Sequence, residues 1–241
     1  MALWYSTRAT GALSLVLLTA SVVLGAVDVT RWSSPRAPRF VIDAIHRTTS
    51  LLVVAFVLVH VITAVLDSFA AIRLMDAVIP FASRYRPVWL GLGAVAFDLV
   101  LAIVATSLLR GRLGMRAWRA IHWLAYASWP VALVHGLGTG SDVRPGWMLW
   151  LSLVCIAAVA AAVLVRAASA AAPTRAFAGT AAALVVSGIG LLAWVPSGPL
   201  ASGWSEKSGT PKKLLGGTSS ARNSHAQQQR TTAPHRGAST R

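Results

Sequence analysis

Six stretches of this chain are almost wholly apolar: Gly11–Val27, Ile45–Leu66, Val88–Leu109, Ile121–Leu137, Met148–Val165 and Ala176–Val195. Polar punctuation separates them, as in Arg31-Trp32-Ser33-Ser34-Pro35-Arg36 and Arg110-Gly111-Arg112. A helix crosses a bilayer with about 17–25 apolar residues, so each run reads as one membrane span. The pattern predicts an all-α membrane protein: a short N-terminal segment (1–10), a six-transmembrane-helix bundle (11–195) and a tail (196–241). From Pro196 onward Ser, Thr, Gly, Gln and Arg dominate. Such a composition buries too little apolar surface to offset its ordering entropy, so a disordered basic tail is expected. The first run reads as a span and not as a cleaved signal peptide. It is long for an h-region, and no clean A-x-A site closes it.

Composition sharpens this reading. Hydrophobic residues make up 56% of the chain and charged residues only 12%. Ordinary soluble domains run at roughly 45–50% and about 25%, so a soluble enzyme is excluded. The net charge of +15 would elsewhere suggest nucleic acid. Here the cations sit in short connectors between apolar runs, where they set membrane orientation, and no nucleic-acid partner is expected. Connectors after spans one, three and five carry Arg31, Arg36, Arg39, Arg47, Arg110, Arg112, Arg116, Arg119, Arg166 and Arg175. The opposite side has Arg8, Arg73, Arg84, Arg86 and Arg144, with Lys207, Lys212 and Lys213 beyond the last span. The richer side is assigned to the cytoplasm, which makes this a multi-pass protein of a bacterial cytoplasmic membrane with both termini outside. A single cysteine, Cys155, allows neither a disulfide framework nor a thiolate metal site.

The chemistry lies in the histidines. His46 and His60 fall on span two, and His122 and His135 on span four; the other two, His225 and His235, lie in the tail. Ionisable groups are expensive within a membrane and tend to face the bundle interior. The two spans run in the same direction, because one complete crossing separates them. The 14-residue interval spans about 21 Å of helix and the 13-residue interval about 19.5 Å. His46 therefore faces His122 at one level, and His60 faces His135 at the other. An imidazole pair can hold a metal ion or sandwich a haem. A bare metal site wants further ligands, which both levels lack, so two stacked b haems fit better.

Helical phase raises one difficulty. At about 100° per residue, 14 residues fall about 40° short of four turns and 13 fall about 140° short. His46 and His60 share a face, whereas His122 and His135 do not on a straight helix. Pro130 lies between the latter two, so a kink is expected near Trp129-Pro130.

The spacing His46-x13-His60 on one span and His122-x12-His135 two spans later resembles the ferric reductase-like transmembrane domain. That family includes ferric reductases, NADPH oxidases and the haem membrane subunit of bacterial methionine-sulfoxide repair. The resemblance covers roughly Gly11–Val195. It implies that His46 and His122 ligate an inner haem and that His60 and His135 ligate an outer one. Residues 196–241 contain no glycine-rich phosphate loop of a flavin and nicotinamide domain. Electrons are thus expected from a separate donor, a flavin-bearing partner or a quinol, bound for an extracytoplasmic acceptor protein or ferric iron.

In the haem reading, Arg47 and Arg119 flank the inner pair and offer charge-assisted hydrogen bonds to propionates, and Arg84 and Arg86 do so outside. Trp118, Trp123 and Trp129 offer packing against a macrocycle. Asp98 would hydrogen-bond a neighbouring helix, and Asp43 would cap span two. A reading from a different class makes the histidines proton relays of a small-solute transporter. Pigment separates the two, since a transporter is colourless.

Overall fold

A computed structural model describes residues 2–29, 38–140, 146–169 and 173–215. The helices among them are α1 (Ala2–Val29), α2 (Arg39–Leu66), α3 (Leu74–Val78), α4 (Pro87–Leu108), α5 (Arg110–His122), α6 (Leu124–Thr139), α7 (Trp147–Ala168), α8 (Pro173–Ser197) and α9 (Trp204–Lys207). No strand occurs among the described residues, and α1, α2, α4, α7 and α8 are each long and apolar enough to cross a membrane. The sixth span is α6. Its 16 residues measure about 24 Å, short of the ~30 Å hydrocarbon core. The chain is a multi-pass membrane protein built as a helical bundle.

At the centre of the packing, α1 lies against α2, α6 and α7, while α4 packs on α6 and α8 on α7. The core joins Leu15 and Val22 of α1, Trp129, Leu133 and Leu137 of α6, and Met148, Cys155 and Val159 of α7. One polar tie crosses it: Trp129 Nε1 donates to Thr19 Oγ1 at 2.8 Å, and Thr19 Oγ1 donates to the Leu15 carbonyl at 2.7 Å. Both groups are thereby satisfied where water is excluded. Much of the outward apolar surface, such as Ile62, Val186 and Leu192, suits a lipid environment.

Several boundaries differ from those expected. Residues 2–10 are the first turns of α1 and not a separate segment. Helix α2 begins at Arg39 behind Pro38, so Asp43 lies inside it, exposed, and caps nothing. Span four is broken at Trp123, not at Pro130: α5 ends at His122, α6 starts at Leu124, and Pro130 stays within α6. That interruption lies between the two histidines, so the phase of one straight helix does not apply to them.

The near end of the expected tail, residues 196–215, has defined structure. The main chain of Arg86 donates to the Gly209 carbonyl at 3.0 Å, and Trp204 Nε1 donates to the Gly138 carbonyl at 3.0 Å. Residues 216–241, with His225 and His235, lie outside the described residues, as do Arg31, Arg36 and Arg144.

On the loop between α2 and α4, the Arg73 backbone and guanidinium both donate to the Asp76 carboxylate at 3.0 Å. Burial alone would raise that carboxyl. The two hydrogen bonds and the Arg73 charge outweigh it and hold Asp76 below the usual carboxylate value.

Candidate functional site

The four membrane histidines meet in two pairs. Ring centroids of His46 and His122 lie 6.4 Å apart with planes at 77°, and those of His60 and His135 lie 6.4 Å apart at 82°. A metal ion shared by two imidazoles would require a distance of this size. Two metal–nitrogen bonds of about 2.0–2.1 Å, plus roughly 1.1–1.2 Å from each ring centre to its nitrogen, give about 6.2–6.6 Å. No cluster of three or more His, Cys, Asp or Glu suited to a metal occurs among the described residues. Each level brings together two imidazoles, one from α2 and one from α5 or α6.

Backbone carbonyls fix three of the rings. Nδ1 of His60 lies 2.8 Å from the Thr7 carbonyl, Nδ1 of His46 3.0 Å from that of Ser21, and Nδ1 of His135 2.8 Å from that of Trp89. A carbonyl only accepts, so each Nδ1 carries the proton and each Nε2 keeps its lone pair free to ligate. Metal-binding histidines are generally oriented by such a second hydrogen bond.

A glycine makes each of these bonds possible. A Cβ on Gly11 would meet the His60 ring at 2.9 Å, one on Gly25 the His46 ring at 3.3 Å, and one on Gly93 the His135 ring at 2.5 Å. In every case the accepting carbonyl stands four residues before the glycine. That carbonyl already takes the glycine's own amide in the helical ladder, and its second lone pair takes the imidazole. The ring lies on bare backbone, which only glycine exposes.

His122 is different. It ends α5, its ring stacks on Trp118 with centroids 4.9 Å apart at 28°, and its buried Nδ1 has no hydrogen-bond partner.

A cavity surrounds each pair. The one at His60 and His135 has a volume of 300 Å³, and its walls include Arg8, Gly11, Ser14, Phe97, Met148 and Trp147. That at His46 and His122 has a volume of 570 Å³, with Gly25, Asp28, Trp118, Arg119, Tyr126 and Arg166 on its walls. Leu18 and Val100 line both, so the cavities stack along the bundle with one apolar layer between them. Residue 18 is also midway between Gly11 and Gly25 on α1.

A chain of this kind is recognisable. The family model described as ferric reductase like transmembrane component matches residues 10–133. The chain belongs to this family. No curated protein and no solved structure matches it. The matched span of the ferric reductase-like domain contains Gly11, Gly25, His46, His60, Gly93 and His122 and stops two residues before His135. Membership makes the chain an oxidoreductase-type membrane component for transmembrane electron transfer.

Among the other residues singled out from sequence, Arg119 lines the His46/His122 cavity, whereas Arg47 is exposed and lines neither cavity. Arg84 is exposed, and buried Arg86 is engaged elsewhere, donating to the Thr139 carbonyl at 2.8 Å. Trp118 and Trp123 line the His46/His122 cavity, while Trp129 belongs to the core. Asp98 makes no hydrogen bond to a neighbouring helix among the described residues.

The cations that sequence reasoning passed over are Arg8, which sits 3.8 Å over the Trp4 ring at the His60/His135 cavity, and Arg166. The latter donates to Tyr126 Oη at 2.8 Å and lies 4.7 Å over the Trp123 ring. The glycines were passed over too, although the Gly11–Gly25 interval equals that of His46–His60. On antiparallel neighbouring helices, that equality is what places both rings on glycine.

Proposed function

We propose that this ferric reductase-like domain conducts electrons across the membrane through two bis-histidine b haems, one held by His60 and His135 and the other by His46 and His122. The observation that carries this reading is the pair of 6.4 Å imidazole separations, joined to the carbonyl anchors that leave Nε2 free. Held by His46 with His122 and by His60 with His135, each haem would supply a one-electron iron couple suited to electron transfer.

The chain's own residues do the rest. The glycine-seated rings of His46, His60 and His135 are oriented by their carbonyl partners, so that Nε2 would be offered to the bound group. The aliphatic walls exclude water, and the Leu18/Val100 layer keeps the two sites apart yet adjacent. Arg119 and Arg166 at the mouth of one cavity, and Arg8 in the other, offer charge-assisted hydrogen bonds to propionates. The proton-relay alternative fits the anchors poorly. Three of the four Nδ1 protons are committed to helix carbonyls, and these pass no proton onward.

The arginine excess in the connectors on the His46 and His122 side supports an orientation with that pair toward the cytoplasm of a bacterial cell membrane and both termini outside. In this orientation the donor is a flavin-bearing or quinol-linked component on the cytoplasmic side, and the acceptor is an extracytoplasmic protein or ferric iron.

A reduced-minus-oxidised absorption spectrum with haem quantification on the purified chain tests this. Two b haems per wild-type chain and about one in His60→Ala are expected. A colourless wild type, produced with ample haem, would overturn the reading.

A further inference from the structure

The helix turn that anchors His135 is held by a part of the chain far away in sequence. The Trp89 carbonyl belongs to the first turn of α4, and terminal turns have the least internal restraint. Arg86, just ahead of that turn, is buried and adopts the left-handed conformation (φ 44°), which a non-glycine residue holds only when its surroundings impose it. Those surroundings are visible. The Arg86 amide donates to Gly209, its Nε donates to Thr210 Oγ1 at 3.0 Å, and its Nη1 donates to the Thr139 carbonyl at the end of α6.

No carboxylate pairs with this buried cation among the described residues. The carbonyls at the C-terminus of α6 supply the balancing partial charge.

The Trp89 ring is enclosed as tightly as its backbone. It lies directly on Gly138 of α6, where a Cβ could not fit. It stacks on Trp194 at 5.2 Å and 27° and meets Trp204 at 5.2 Å and 55°. Trp204 in turn donates to the Gly138 carbonyl, so it grips α4 and α6 together. These two helices carry the two ends of the bond from His135 Nδ1 to the Trp89 carbonyl.

We propose that the segment from Trp194 to Thr210 is a clamp that sets the axial ligand His135, with Trp204 as its positioning residue. This rests on the reading that His60 and His135 hold a haem. The clamp holds the Trp89 carbonyl on the imidazole proton, which keeps the ring a strong donor and favours the oxidised iron. Releasing it weakens the donor and raises the potential of that haem alone.

The test is a redox titration of the full chain, with the two haems resolved and low-temperature electron paramagnetic resonance recorded. The clamped component is identified as the one missing from His60→Ala. In Trp204→Ala that component should move to a higher midpoint potential with a shifted resonance, while the other stays in place. Loss of that haem alone is the stronger form of the same result. Trp204→Phe keeps an aromatic ring against Trp89 but loses the bond to Gly138. It should show a smaller shift in the same direction, and it decides the matter if the alanine variant does not accumulate. Two unshifted components in a variant that keeps both haems, or equal movement of both, would overturn the clamp and leave the haem reading intact. A haem-free wild type would overturn both.

Discussion

At the level of His60 and His135, both rings rest on glycines and both Nδ1 protons are held by helix carbonyls, that of Thr7 in α1 and that of Trp89 in the first turn of α4. At the level of His46 and His122, the first ring is held in the same way, but the second ends one helix at a break and has a buried nitrogen without a partner. The pair distance is 6.4 Å at both levels. Equal geometry thus arises from unequal support: three rings are set by backbone carbonyls, and that of His122 by its stack on Trp118. A missing hydrogen bond to a buried donor costs about 1–3 kcal/mol. The site containing His122 should therefore be the more weakly determined of the two.

The sharpest way to break this contrast is through the glycines. Gly93→Ala puts a methyl group 2.5 Å from the His135 ring, and Gly11→Ala puts one 2.9 Å from that of His60. Each should abolish haem at that level and cut the content of the purified protein from about two to about one. Gly25→Ala, at 3.3 Å from His46, requires a shift of only a few tenths of an ångström and should keep most of its haem. Equal losses in all three would show that the ring seats do not set occupancy.

A smaller effect concerns retention. The haem at His46/His122 should pass to an excess of haem-scavenging protein roughly fivefold faster than its counterpart, as expected for about 1 kcal/mol of lost ligand support. Trp118→Ala should widen that gap, because it removes the stack on His122. Indistinguishable release rates would mean that the orphaned Nδ1 carries no consequence.

The smallest expected effect is at Asp76, which borders a small cavity beside His60 and His135. Its depressed carboxyl stabilises the folded loop at any pH above the unfolded carboxylate value of about 3.9 and ceases to do so as pH falls through the folded value. Asp76→Asn should cost about 1 kcal/mol of thermal stability at neutral pH and make the remaining stability less sensitive to acid below the ordinary carboxylate value of about 3.9. Unchanged melting and acid profiles would assign the loop's order to other contacts.

The apolar runs alone determined the class of this protein. Apolar runs of 17–22 residues with at most one charge each have no stable place in water, and their backbone is satisfied only as helices in lipid. The histidine intervals determined equally well that two imidazole pairs would form at two depths. Both signals are local and periodic, so they survive without knowledge of the packing.

Tertiary structure decided what periodicity cannot carry. The phase of span four depended on whether the chain broke at Pro130 or at Trp123. A proline in a helix can be accommodated by its neighbours, whereas the turn after His122 had no sequence marker. Arg47 and Arg119 were alike as residues near the inner pair, but the twist of each helix turned only Arg119 into the cavity. Trp204 looked like part of a solvated tail because its environment, Gly138 of α6 and Trp89 of α4, is distant in sequence. A glycine acquires meaning only from what lies against it, and here that is an imidazole on the neighbouring helix.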